Sequence, residues 1–90
     1  MTLDNQKQIE MLYELISTIT NSADCKELFE DLCTYKEINA MAQRLHAAKL
    51  LMECVTYEQI IEKTGISSAT LSRVSKCVKQ GNGYKKLLGK

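Results

Sequence analysis

The sequence predicts an all-α fold, a small helical bundle that includes a helix-turn-helix. Three observations predict it. Apolar residues recur three and four positions apart, as in Ile9, Leu12, Ile16 and Ile19. Capping residues followed by Glu or Gln three positions later mark helix starts at Thr34 with Glu37 and at Thr56 with Gln59. There is no proline and little glycine, so nothing reads as a linker, and the 90 residues form one domain.

Residues 4–20 read as the first amphipathic helix. Met11, Tyr13 and Leu15 widen its apolar stripe beyond one face. A chain this short lacks the surface to cover such a helix, which predicts burial against a second copy. Asn21 or Ser22 caps the next helix, with Asp24 and Glu27 in its first turn and Leu28, Phe29 and Leu32 on its apolar side. Thr34 opens a third helix carrying Ile38, Met41, Ala42, Leu45, Ala48 and Met52 at near-heptad spacing, with Leu50 and Leu51 as a second face. This long helix is expected to be central. Residues 4–53 thus hold the N-terminal helices, of which the first is expected to meet the second copy.

Residues 56–80 carry the helix-turn-helix. Thr56 caps a helix whose apolar face holds Ile60 and Ile61. Gly65 stands where the chain must leave that helix with φ > 0, and Ile66 follows as a buried plug. Ser67 caps the second helix, in which Leu71, Val74 and Val78 share one face. Ser68, Ser72, Arg73, Lys76 and Lys79 occupy the opposite face, suited to a DNA major groove. After Gln80 the stop signal Gly-Asn-Gly leads into Tyr84, Leu87 and Leu88. The tail 82–90 is open between a last helical turn and an unstructured arm.

Charge is divided along the chain. Residues 1–62 hold five basic and eleven acidic residues, a net −6; residues 63–90 hold seven basic and none acidic, a net +7. A cationic end coinciding with the motif favours phosphate contact and double-stranded DNA as partner. A helical protein-interaction module with a merely solvated basic end remains the alternative. No apolar run approaches the roughly 20 residues of a membrane span, and no signal pattern opens the chain, so a cytoplasmic protein is expected. Cys25, Cys33, Cys54 and Cys77 form no C-x-x-C pair and read as reduced, small apolar fillers. With His46 the single histidine, a zinc site is disfavoured. No nucleophile elbow, P-loop, HExxH or paired carboxylate motif is present. Asp31 and Glu37 belong to helix ends, and nothing activates Cys77 with His46 as a thiol–imidazole pair, so no enzyme is expected.

The segments TYKEINAMAQRLHAAKLL, TYEQIIEKTGISSATLSR and GNGYKKLL resemble the Trp repressor superfamily, and the whole chain is most similar to its YerC/YecD branch. The resemblance implies an intertwined homodimer that binds operator DNA and controls transcription, usually by repression. It implies base contacts from Ser67, Ser68, Ala69, Thr70 and Ser72. With the start of the first motif helix and the basic face, the candidate DNA-contacting set adds Thr56, Tyr57, Arg73, Lys76 and Lys79. It also implies an effector pocket, matched here by Thr34, Arg44, Thr70 and Arg73. Val74 replaces a pocket glycine and Cys77 a serine that helps hold the ligand's amino group. These changes argue against tryptophan as effector and leave open another small amino-acid-like effector or none. Glu58 and Ile61 stand where the repressor has basic residues, which predicts a different operator.

Overall fold

The computed structural model describes residues 2 and 4–89. Among the described residues six helices follow in order: α1 (Asn5–Ser17), α2 (Ser22–Leu32), α3 (Tyr35–Met52), α4 (Tyr57–Thr64), α5 (Ser68–Gln80) and α6 (Gly83–Leu88). No strand occurs among the described residues. The chain forms two compact units, Met1–Tyr35 and Lys36–Lys90.

In the first unit Asp4 is the N-cap of α1, its carboxylate accepting from the Lys7 N–H at 2.8 Å. The helix stops at Ser17, short of the expected residue 20. Ser17 and Thr18 turn their hydroxyls back onto the Glu14 and Leu15 carbonyls, both at 2.7 Å. Side chains that bond to nearby carbonyls compete with helix continuation, and the following Ile19 and Thr20 are β-branched. Asn21, not Ser22, caps α2 by accepting from the Asp24 N–H at 2.8 Å. No described residue of this unit is buried. Ile9, Leu12, Ile16, Leu28 and Phe29 are half-buried, whereas Tyr13 is 66% exposed and Met11 57%.

The second unit has its own core, built from Ala47, Ala48, Leu50, Ile60, Ile66, Leu71 and Val74. Leu51, Val55, Ile61, Val78, Tyr84 and Leu88 pack against it. The near-heptad stripe expected on α3 is only partly what this core uses. Ala48 is fully buried, but Leu45 is 50% exposed, and Ala47 and Leu50 complete the buried face instead. The two alanines place no bulk beyond Cβ at the centre of the cluster, leaving room for Ile60, Ile66 and Leu71.

The α3–α4 join is a Schellman turn. Val55 N–H bonds to Leu50 O at 3.1 Å and Cys54 N–H to Leu51 O at 3.0 Å. Cys54 therefore takes φ 64°, a position usually held by glycine or asparagine. This corrects the reading of all four cysteines as apolar fillers. Cys54 is exposed because the turn points it outward, and Cys77 is exposed on α5; Cys25 and Cys33 are half-buried. The tail is helical as α6, with Tyr84 and Leu88 against the core and Leu87 69% exposed. Lys90 lies outside the described residues. No helix among the described residues is long and apolar enough to cross a membrane.

Candidate nucleic-acid interface

The site begins with two capped helix starts. The Thr56 hydroxyl accepts from Gln59 N–H at 3.3 Å and opens α4; Tyr57 beside it is 42% exposed. Gly65 ends α4 at φ 73°, its N–H bonded to Ile61 O at 2.9 Å. Ile66 is 1% exposed and plugs the turn into the core. The Ser67 hydroxyl then accepts from Thr70 N–H at 3.2 Å and donates to the Thr70 hydroxyl at 2.9 Å.

This geometry divides the residues expected at the bases. Ser67 is occupied as the cap of α5, and Thr70 is half-buried as its partner. Ser68, Ala69, Ser72 and Arg73 are exposed. Leu71 and Val74, at 0% and 2% exposure, fix the opposite side of α5 in the core. The outer face is therefore held in one orientation by packing, with short side chains where a backbone must approach closely. Lys76 and Lys79 extend the exposed face. Their flexible ammonium groups suit phosphate as point charges. Ile61 packs against the core, so the place of a basic residue in the first motif helix is taken by an apolar contact.

Lys85 Nζ donates to Lys79 O at 2.6 Å and so caps the last turn of α5. Cations are favoured at this end of a helix dipole. Lys85 and Lys86 are both exposed.

Of the candidate effector residues, Arg44, Thr70, Arg73, Val74 and Cys77 line one cleft of about 440 Å³. Tyr84 of α6 lines it as well, a contributor sequence reasoning missed. The sequence left the tail open between a helical turn and an unstructured arm, so it gave Tyr84 no wall to face. Thr34 belongs to the first unit.

Two helices joined at a left-handed glycine, the second locked by its apolar side and exposing short polar and basic residues, define a helix-turn-helix protein. The sequence profile of the Trp repressor protein family matches residues 7–90. The chain belongs to the Trp repressor family, a family of DNA-binding transcriptional regulators. It is similar to the uncharacterized YerC protein of Bacillus subtilis, 42% identical over 76 residues that cover 84% of this chain and 73% of that one. A crystal structure of a TrpR-like protein from Eubacterium eligens superposes with a TM-score of 0.87 at 39% identity, covering 92% of this chain and 87% of that one. A provisional Trp repressor from Staphylococcus aureus superposes with a TM-score of 0.86 at 34% identity, covering 98% and 93%.

Proposed function

We propose that the protein is a sequence-specific DNA-binding transcriptional regulator, a repressor that meets operator DNA as a homodimer in the cytoplasm. One observation carries this reading: the exposed face of α5, from Ser68 to Lys79, is polar and basic while Leu71 and Val74 hold its other face in the core. In the docking geometry common to helix-turn-helix proteins, the Trp repressor among them, the N-terminal residues of the second helix meet base edges. Ser68, Ala69 and Ser72 then read sequence, and Lys76 and Lys79 hold phosphates. The first unit supports the dimer, since its apolar residues lie exposed or half-buried in a single chain.

The test is recovery of genomic DNA bound to the tagged protein, followed by titration of the enriched sequence against salt. Each phosphate contact should contribute about −0.9 to the slope of log affinity on log salt. Lys76→Ala or Lys79→Ala should weaken binding to all sequences alike and flatten that slope by about one unit each. No enrichment and no salt dependence would favour the protein-interaction module.

The cleft of Arg44, Thr70, Arg73, Val74, Cys77 and Tyr84 supports a small amino-acid-like effector other than tryptophan. Val74 adds bulk, and the Cys77 thiol is a poor partner for an ammonium group. An effector at a hundred times its dissociation constant should stabilise the fold by about 2.7 kcal/mol. Thermal melts with the amino acids in turn check this, and a shift with tryptophan would contradict the reading of Val74 and Cys77.

A further inference from the structure

The turn of the helix-turn-helix is tied to α3 by a side chain outside the motif. Gln43 is half-buried on α3, and its Nε2 donates to the Thr64 carbonyl at 3.0 Å. Thr64 is the last residue of α4, where carbonyls have no partner within the helix. Several other polar groups of this turn bond within it. The Thr64 hydroxyl donates to Ile60 O at 2.7 Å and accepts from Ile66 N–H at 3.2 Å, and Gly65 N–H reaches Ile61 O at 2.9 Å. The Thr64 carbonyl points out of the turn and is met from α3. The next residue on α3, Arg44, lines the cleft it shares with Thr70 and Arg73 of α5. Adjacent positions of α3 thus face the turn and the second motif helix.

We infer that Gln43 is a positioning residue for DNA reading: its bond to Thr64 fixes the angle at which α5 leaves the turn. The inference rests on the DNA-binding reading proposed above. Base contacts depend on geometry, whereas lysine–phosphate contacts tolerate slack. Loosening the turn should therefore lower affinity for the operator more than affinity for unrelated DNA. The side chain lies beside a polar recess formed with Asn39, His46, Lys63 and Thr64, so water can replace its amide when it is removed. Its loss should loosen the turn without opening the core.

Gln43→Met keeps length and removes the donor; Gln43→Lys keeps a donor of similar reach. Two readouts are compared with the parent protein: amide hydrogen exchange in the free protein, and the ratio of operator affinity to affinity for an unrelated duplex. With Gln43→Met, exchange at Gly65, Ile66 and Thr70 should quicken about tenfold, as expected for loss of one partly buried hydrogen bond, with Leu50 unchanged. The affinity ratio should fall about tenfold, and Gln43→Lys should hold both quantities within about threefold of the parent. Unchanged exchange and ratio in Gln43→Met would overturn the inference. So would exchange that quickens equally at Leu50 with the ratio intact, or a chain that no longer folds, since Gln43 would then be structural. If the parent binds no DNA selectively, the proposed function fails by itself, and the exchange measurement still decides whether Gln43 holds the turn.

Discussion

Met1–Tyr35 and Lys36–Lys90 use apolar residues in different ways. The second unit buries seven hydrophobic residues and packs six more against them. The first buries none among its described residues, although α1 and α2 carry Ile9, Met11, Leu12, Tyr13, Leu15, Ile16, Leu28, Phe29 and Leu32. Charge divides the same way: residues 1–35 hold two basic and seven acidic residues, and residues 36–90 hold ten basic and four acidic. Hydrophobic stabilisation grows with apolar area removed from water, so a unit that buries little of it in one chain gains little from folding alone. The second unit buries its own core in one chain, whereas the apolar residues of the first are left for the proposed partner copy to cover.

The largest effect should come from placing charge on the first unit. Leu12→Asp with Ile16→Asp should cost several kcal/mol in the dimer, because an unpaired carboxylate would be buried there. Light scattering and circular dichroism should report a monomer or an unfolded chain. Retention of the parent's mass and helicity would break the comparison. Leu71→Ala acts on the other side of it. Removing this fully buried side chain should lower stability by about 2–5 kcal/mol in a denaturant melt.

Gly65→Val should cost about 1–2 kcal/mol and weaken operator binding. A Cβ at Gly65 would find only Gln43 Nε2, at 3.9 Å, so space is not the obstacle; φ 73° is. Cys54→Gly is the reverse experiment at the matching turn. It should raise stability by up to about 1 kcal/mol, since glycine tolerates φ 64° without a Cβ. A melting temperature below the parent's would show that the Cys54 side chain stabilises the join.

The turn at Gly65 was readable from sequence because several local signals agree there. Thr56, Gly65, Ile66 and Ser67 each have a local requirement that only a few residue types satisfy, and each takes the expected role. The left-handed Cys54 was not readable, because cysteine does not advertise that conformation and the Schellman bonds form only once α3 has ended. The face of α3 was read in part. Periodicity picks out large residues such as Leu45, whereas the core closes on Ala47 and Ala48, whose small size is their contribution. Five of the six candidate effector residues come together in one cleft, but Tyr84 joins them from beyond the Gly81 stop. Gln43 carried no signal either, because its partner is a backbone carbonyl twenty-one residues away, invisible to any pattern of side chains.

The unequal completeness of the two units is tested most directly by the mass of the free particle. One chain weighs 10.2 kDa. Sedimentation equilibrium at micromolar concentration should give a particle of two chains, with helicity that persists on dilution until the dimer dissociates. A folded particle with the mass of one chain, its N-terminal helices intact, would contradict the account.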